Sequence, residues 1–339
     1  MNVAEAPDDA PIDLVCPWVT YDERLARDIQ KYCAFEGSDA KVPHPARYRE
    51  FGELKYSLES AAIHMPWLNK IYVITNGQKP PASVLSMPKV VHCTHHDFFR
   101  NKEHLPTFSS SAIGINAAFI PGLSEQYLLT NDDVFIGRPL SRASILGSGR
   151  GVHLFAHEDL DSFHDRRNIW RARVDTTEKI LCSRFGAQNR KLFAHTPQLF
   201  SKSGMTEIWD KYEGEMTRAS AGRFPSPDHV LSRLLFLYEF LYSEYGCRDF
   251  SEIVSLSGQN IRKVRRSDHW HVSLTKTGGA WEQRLRQIEE ERPNFFCLND
   301  QIAMNQYAEV TATVRAFLDR YYGRAEMRLE VPDTAAFSR

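Results

Sequence analysis

The sequence predicts an α/β fold with a mostly parallel central sheet. Between residues 11 and 140, apolar runs of strand length alternate with segments of helical periodicity, a pattern typical of parallel strands joined by crossover helices. Several of these runs end abruptly in polar or turn-forming residues, and ligands bind at the carboxyl ends of strands in open α/β sheets. A longer periodic segment near the carboxyl terminus predicts a helix that packs back on this first lobe.

The overall composition is that of a soluble globular protein. The 339 residues are 42% hydrophobic and 25% charged, and the net charge of -1 offers no general attraction to nucleic acid. The sequence has no stretch of about 18 uncharged apolar residues, and its acidic amino terminus does not have the apolar core of a signal peptide. The six cysteines are widely spaced, as expected for reduced thiols in a cytoplasm. These features predict a cytoplasmic protein.

The amino-terminal elements are predicted in the order strand, helix, helix, strand, strand. The apolar run 12–16 is a buried strand, and residues 22–34 form a helix. Apolar residues at steps of three and four between 51 and 65 predict a second helix with one buried face. The runs 70–75 and 90–93 are the next two strands. Arg49 and Lys55, near the start of the second helix, can receive phosphate there or form an ordinary charged surface.

The next strand ends in three potential oxygen ligands. Ser109 and Ser110 can cap the preceding helix, and the apolar run 127–129 then leads into Asn131, Asp132 and Asp133. Carboxylates at this position suit Mg²⁺ or Mn²⁺. Because successive strand residues point to opposite faces, only one of the two carboxylates is expected to bind the metal directly. The alternative is a solvated turn, since Asn and Asp are common turn residues.

The chain after residue 141 is predicted to be mainly helical. Helices are expected at 168–186, 203–214 and 229–245, the last of them started by Ser226 or Asp228. A further apolar run ends in Asn299 and Asp300, ahead of a helix over 301–322. Either of these two residues can cap that helix, or it can turn toward the cleft that the strand ends form around Trp18 and Asn76.

Two more residues are candidates for phosphoryl-transfer chemistry. A cation such as Arg223 can stabilise a transferring phosphate, and His195 can accept the proton of an attacking hydroxyl near neutral pH. A single histidine or arginine is also commonly structural, and the residues alone do not choose between these readings. The sequence contains neither a Gly-rich dinucleotide fingerprint nor a P-loop, so cofactors bound through those motifs are not indicated.

Four sequence blocks resemble those of the Stealth proteins, which are sugar-1-phosphate transferases of bacterial capsule and exopolysaccharide synthesis. The family is related to the catalytic subunit of N-acetylglucosamine-1-phosphotransferase. The blocks comprise residues 12–19, residues 47–133, residues 194–197 with 223–228, and residues 298–300 with the following helix. They occur in the family's order across 11–331. Thr20 to Glu23 depart from the family, which often has an Asp-Gly turn followed by Asp-Pro there.

The resemblance implies a Rossmann-like sheet that binds a nucleotide sugar, and catalysis that requires Mg²⁺ or Mn²⁺. A sugar-1-phosphate would pass from a UDP-sugar, such as UDP-N-acetylglucosamine, to a hydroxyl of a polysaccharide or glycan, and a nucleoside monophosphate would leave. The residues expected to act in catalysis are Asp132, Asp133, His195 and Arg223. The residues expected to bind metal are Asp132, Asp133, Asn299 and Asp300. The residues expected to bind the nucleotide sugar are Trp18, Arg49, Glu53, Lys55, Asn76, Gln78, Ser109, Ser110 and Asn131.

One catalytic domain is expected over residues 11–331, between flexible tails at 1–10 and 332–339. It divides into a nucleotide-sugar-binding core at 11–140, a mainly helical acceptor-side lobe at 141–290, and a final motif with its helix at 291–331. A polysaccharide acceptor also suggests peripheral association with the inner membrane. Two other functions remain open, a metal-dependent glycosyltransferase that releases a nucleoside diphosphate and a non-catalytic carbohydrate-binding protein.

Overall fold

The computed structural model describes residues 9–36, 48–146, 154–159, 169–188, 190–245, 261–263, 268–274 and 280–323. Apart from residues 9 and 10, the tails expected at 1–10 and 332–339 lie outside these ranges. Within them, no helix has both the length and the apolar character needed to cross a membrane.

A five-stranded sheet forms the centre of the fold. Its strands, in spatial order, are β3 (Val90–Thr94), β2 (Ile71–Thr75), β1 (Ile12–Pro17), β4 (Gln126–Leu129) and β8 (Gln198–Ser201). The first four strands are parallel, and β8 is antiparallel to β4. The predicted mostly parallel α/β sheet is therefore confirmed. The strands β2 and β4 are buried along their whole length, which matches their almost uninterrupted apolar runs.

The helices of the first lobe connect these strands. They are α1 (Glu23–Glu36), α2 (Glu53–His64), α3 (Ala82–Leu85), α4 (His95–Phe98) and α5 (Ser110–Asn116). Helix α2 begins after Gly52, whose φ of 101° lies in the left-handed region that glycine adopts most readily. Ser109 caps α5 as predicted, because its hydroxyl accepts a hydrogen bond from the Ala112 amide.

A second, three-stranded sheet follows directly from the first. Its strands, in order, are β10 (His269–Leu274), β11 (Phe295–Asp300) and β5 (Val134–Ile136). The segment 131–133 joins β4 of the first sheet to β5 of the second, so it lies where the two sheets meet. Strands β10 and β11 are parallel, and β5 is antiparallel to β11.

The carboxyl-terminal helix α12 (Tyr307–Tyr322) packs on the second sheet and on the first lobe. Phe296 contacts the rings of Phe317 and Tyr321, and the Tyr321 hydroxyl donates to the Gly137 carbonyl at 2.8 Å. The prediction that a residue of the 299–300 pair caps this helix is wrong. Both residues end β11, and a short 3₁₀ turn (Met304–Gln306) separates them from the helix.

The chain between 141 and 290 is less purely helical than predicted. Its helices are α6 (Ala143–Leu146), α7 (Ile169–Phe185), α8 (Lys202–Lys211), α9 (Glu213–Ala221), α10 (Ser232–Tyr245) and α11 (Ala280–Glu291). It also supplies β8, β10 and a third sheet of β7 (Lys191–Phe193), β6 (Leu154–Asp159) and β9 (Ile261–Lys263). These strands are short and several carry charged residues, so they give no long apolar run.

The predicted start of the helix at 229–245 also needs correction. Helix α10 begins at Ser232, and neither Ser226 nor Asp228 caps it. The Ser226 hydroxyl instead donates to the Asp228 carboxylate, which makes a local turn ahead of the helix.

Candidate active site

A cavity of about 510 Å³ opens at the carboxyl ends of the central strands. Trp18, Asn76 and Asn131 follow β1, β2 and β4, and all three line it. The expectation that these strand ends meet in one cleft is therefore confirmed. Helices α7 and α10 of the second lobe contribute further lining residues, so the cavity lies between the central sheet and these helices.

The two adjacent carboxylates have different surroundings. Asp132 lines the cavity, whereas Asp133 is not part of its lining. The backbone of the turn is fixed on both sides, since the Thr130 amide donates to the Val15 carbonyl at 3.0 Å and the Leu298 amide donates to the Asp133 carbonyl at 3.0 Å. The turn thus holds one carboxylate toward the ligand space and turns the other toward the second sheet.

Asp133 lies between a histidine and a cysteine. The Cys297 thiol donates to Oδ2 of Asp133 at 3.3 Å, and Nε2 of His195 lies 3.6 Å from Oδ1. Nε2 of His195 is also 3.0 Å from the Asn131 amide nitrogen. Burial raises the pKa of Asp133, but interaction with His195 and the Cys297 hydrogen bond outweigh it, so the pKa is lowered overall. We therefore regard Asp133 as the ionised member of the pair.

The pKa of Asp132 is shifted in the opposite direction, upward. Its burial, the neighbouring Asp133 charge and Glu50 together raise the pKa of Asp132 to about 8. Burial, Asp132 and Glu50 likewise raise the pKa of Glu53 well above its usual range. Carboxylates crowded in a buried site repel one another, and a bound cation relieves that repulsion.

Three side chains of the site are close enough together to hold a metal ion. Ligand atoms of Asp133, His195 and Cys297 all lie within 4.8 Å of one another. Burial and the Asp133 charge raise the pKa of the Cys297 thiol well above its usual range, so this cysteine acts as a hydrogen-bond donor to Asp133. Oδ1 of Asp133 is buried and has no hydrogen-bond partner among the described residues, which leaves one acceptor atom available to a cation.

About half of the site residues predicted from the sequence line the cavity. Those that line it are Trp18, Asn76, Ser110, Asn131, Asp132, His195 and Asn299. Those outside its lining are Arg49, Glu53, Lys55, Gln78, Ser109, Asp133, Arg223 and Asp300. Several residues of the second group have structural contacts that explain their positions.

Arg49 and Asp300 form a nearly buried ion pair with each other. The guanidinium donates to both carboxylate oxygens, at 2.8 and 2.6 Å, and to the Ile302 carbonyl at 2.8 Å. It also stacks over the Tyr307 ring at 4.7 Å. In this arrangement Arg49 and Asp300 are engaged with each other outside the cavity lining, and their predicted roles toward phosphate and metal remain predictions.

Gln78 joins two loops at the rim of the site. Its amide accepts from the Thr20 backbone N–H at 3.1 Å and donates to the Thr20 carbonyl at 2.7 Å and to Asp22 at 2.6 Å. The segment that departs from the Stealth pattern is therefore held against the loop after β2. Gln78 positions these loops and is not part of the cavity lining.

Arg223 and Lys55 are also outside the cavity lining. The Arg223 guanidinium donates to the Pro106 carbonyl at 3.3 Å and lies 4.7 Å from the centre of the Tyr32 ring. Lys55 is exposed and pairs with Glu59 on its own helix at 3.5 Å. Their predicted contacts with phosphate remain predictions.

Two cavity arginines were missed by the sequence analysis. Arg173 of α7 and Arg233 of α10 both line the cavity. Arg233 is followed directly by the apolar residues Leu234 to Leu237, and this apolar pattern drew attention to packing. The signal that could have revealed it is the charge itself, since an arginine among buried residues is uncommon without a partner or a ligand.

Comparison with known proteins finds one matching family model and several similar bacterial proteins. Residues 47–152 match the family model described as Stealth protein CR2, conserved region 2. The chain is 29% identical over 326 residues to the exopolysaccharide phosphotransferase CpsY of Mycobacterium tuberculosis, an alignment that covers 92% of this chain and 56% of the relative. It is 27% identical over 317 residues to the capsular polysaccharide phosphotransferase LcbA of Neisseria meningitidis, covering 92% and 83%.

The chain spans little more than half the length of the mycobacterial relative. Among solved structures, the galactosyltransferase LgtC in complex with donor and acceptor sugar analogs aligns with a TM-score of 0.39 and 10% identity, over 91% of this chain and 95% of that chain. The resemblance found in the sequence is confirmed: the chain carries the Stealth conserved region 2 and is similar along most of its length to bacterial polysaccharide phosphotransferases.

Proposed function

We propose that this protein transfers a sugar-1-phosphate from a nucleotide-diphosphate sugar to an acceptor hydroxyl in bacterial polysaccharide synthesis. The observation that carries the proposal is the division of the carboxylate pair. Asp132 faces the cavity with a raised pKa, while Asp133 is turned toward His195, which itself lines the cavity. This arrangement offers an anchor for a charged donor and a base for an acceptor in one cavity. Similarity to proteins named phosphotransferases supports the same reaction.

Asp132 and Asn299 are proposed to hold a divalent cation. Both line the cavity and present oxygen atoms, the ligand type that Mg²⁺ and Mn²⁺ prefer. The crowding of the buried carboxylates of Asp132, Asp133 and Glu53 supports the fit of this site to a cation. When bound, Mg²⁺ or Mn²⁺ would neutralise charge on the donor's diphosphate and on the departing nucleoside monophosphate.

His195 is proposed as the general base. The Asn131 amide nitrogen donates to its Nε2, so Nε2 is the ring nitrogen without a hydrogen in the neutral imidazole and the one that can take up the acceptor's proton, beside Asp133. As the acceptor oxygen forms its bond to the sugar-linked phosphorus, the bond from that phosphorus to the nucleoside monophosphate breaks. The acceptor proton passes to His195, and the ionised Asp133 stabilises the resulting imidazolium.

Trp18 is proposed to contact the donor. Its side chain is 5% exposed and lines the cavity, and its Nε1 atom is buried without a hydrogen-bond partner among the described residues. Such a donor group is suited to an oxygen of the sugar or the nucleotide. Asn76 and Ser110 offer further polar contacts on the same wall. We propose a UDP-sugar as the donor and a polysaccharide or glycan hydroxyl as the acceptor.

A donor survey tests this function. The protein is incubated with a panel of nucleotide sugars, a glycan acceptor and Mg²⁺, Mn²⁺ or a chelator, and the released nucleotides are separated by ion-exchange chromatography. We expect a nucleoside monophosphate to appear only when metal, donor and acceptor are all present. Release of a nucleoside diphosphate would instead indicate an ordinary glycosyltransferase. Tight donor binding with no turnover would indicate a carbohydrate-binding protein.

A further inference from the structure

Arg233 presents an uncommitted cation to the cavity. It lies in the first turn of α10, and its neighbours Leu231, Ser232 and Leu234 line the cavity with it. Across the part of the chain that the structure describes, its guanidinium makes neither a hydrogen bond nor an ion pair. Burial lowers the pKa of Arg233 to about 10 and the charge of Asp133 opposes this, so the group remains charged at neutral pH.

A charge in this setting favours an anionic ligand. Withdrawing a guanidinium from water is unfavourable unless an anion or a set of acceptors replaces the lost hydration. Asp133 acts on Arg233 through space, but its direct contacts are to Cys297 and His195. Arginine also matches phosphate geometry better than lysine, because its planar group can donate two parallel hydrogen bonds.

A second arginine lies on the same wall. Arg173 of α7 is 4% exposed, lines the cavity, and donates to the Val230 carbonyl at 3.3 Å, just before α10. This contact ties α7 to the segment that carries Arg233. Two cations from two helices therefore line the same cavity as the carboxylate of Asp132 and the imidazole of His195.

We propose that Arg233, together with Arg173, binds the phosphate that is transferred. This inference rests on the proposed function and adds a catalytic residue to it. The guanidinium of Arg233 would contact the phosphoryl oxygens, on which negative charge is spread during transfer.

The test combines turnover with a binding measurement that needs no turnover. Arg233→Gln should lower kcat/KM for the nucleotide-sugar donor by about 10²- to 10³-fold, the usual effect of losing one such donor. Arg233→Lys should keep part of the activity, and added guanidinium ions should partly restore Arg233→Gln. Arg218→Gln, which removes a charge from an exposed site on α9, is the matched control and should behave as wild type.

Inorganic pyrophosphate with Mg²⁺ is the probe for the binding arm. Calorimetry should show at least a tenfold weaker affinity for Arg233→Gln than for wild type, while the melting temperature without ligand is not lowered. Unchanged pyrophosphate affinity or unchanged kcat/KM in Arg233→Gln would overturn the assignment, as would an equal loss in Arg218→Gln. If the wild-type protein binds pyrophosphate through Arg233 but releases no monophosphate from any donor, the proposed function fails and the anion site stands.

Discussion

Oδ1 of Asp133 lies 3.6 Å from Nε2 of His195, although the two residues come from different sheet-edge loops. This contact accounts for the lowered pKa of Asp133 beside a neighbour, Asp132, whose pKa is raised. At neutral pH, Asp133 is therefore ionised, whereas Asp132, with a pKa of about 8, is mostly protonated. In the proposed reaction, Asp133 stabilises the protonated histidine and Asp132 binds the cation.

The proposed dyad predicts non-additive effects of mutation. His195→Gln should lower kcat by about 10²- to 10⁴-fold, the usual contribution of general base catalysis. Asp133→Asn should also lower kcat, but it should have little further effect in the His195→Gln background, because Asp133 acts through the imidazole. Steady-state kinetics of the two single variants and the double variant measure this. Losses that multiply in the double variant would contradict the dyad.

The raised pKa of Asp132 predicts that metal binding depends on pH. A proton on this carboxyl must leave before the oxygens can bind a cation, so Mg²⁺ affinity should rise as the pH increases from 6 toward about 8. Calorimetry in buffers of different ionisation enthalpy should detect about one released proton below that pH. In Asp132→Asn the pH dependence should disappear together with most of the affinity. A flat affinity profile in the wild type would argue against Asp132 as the ligand.

The same carboxyl predicts a change in the stability of the metal-free protein. Because its pKa is higher in the folded state than in the unfolded state, the folded state binds the extra proton, and this group lowers stability as the pH rises from about 4 to about 8. Asp132→Asn removes that penalty, so its melting temperature should exceed wild type by about 2 °C or more at pH 8.

Calorimetric scans at two pH values test this stability effect. The difference between Asp132→Asn and wild type should be clear at pH 8 and much smaller at pH 5, with EDTA present in both. Glu213→Gln, which alters an exposed carboxyl on α9 outside the cavity, is a matched control. A melting temperature of Asp132→Asn below that of wild type at pH 8 would be inconsistent with the raised pKa.

The ion pair of Arg49 and Asp300 predicts a loss of stability without a specific loss of donor binding. Their side chains are only 8% and 11% exposed, so Arg49→Met leaves a buried carboxylate without its cation, which typically costs about 3–5 kcal/mol. Urea unfolding should show this loss, and the double variant Arg49→Met/Asp300→Leu should recover part of it. The KM for donor should change little in the folded fraction. A large increase in KM with unchanged stability would restore the phosphate-binding role.

The sequence was informative where chemistry is local. The apolar runs of β1, β2 and β4 and the polar residues that follow them predicted the sheet and the position of Asn131. The sequence could not show that Arg49 meets Asp300, because the pairing joins segments 251 positions apart and depends on the packing of the second sheet. The position of Arg233 in the cavity could not be predicted, because it is followed by apolar residues. Hydrophobic periodicity indicates which face of a helix is buried, but not which side chains line a cavity.

The second sheet was missed for a related reason. Strand β5 has three residues and follows the 131–133 turn directly, so it looked like the continuation of one strand. Its pairing with β11 places Cys297 opposite Val134 and thereby brings the thiol to Asp133. No feature of the local sequence predicts that contact, because it arises from the antiparallel register of two distant segments.

The fate of the sugar-linked phosphate tests the central claim most directly. A UDP-sugar labelled with ³²P in the phosphate attached to the sugar is incubated with the protein, acceptor and Mg²⁺, and the products are separated. The account predicts that the label enters the acceptor product, that unlabelled UMP is released, and that Asp132→Asn forms neither. Label recovered in UDP, with an unlabelled glycan product, would contradict it.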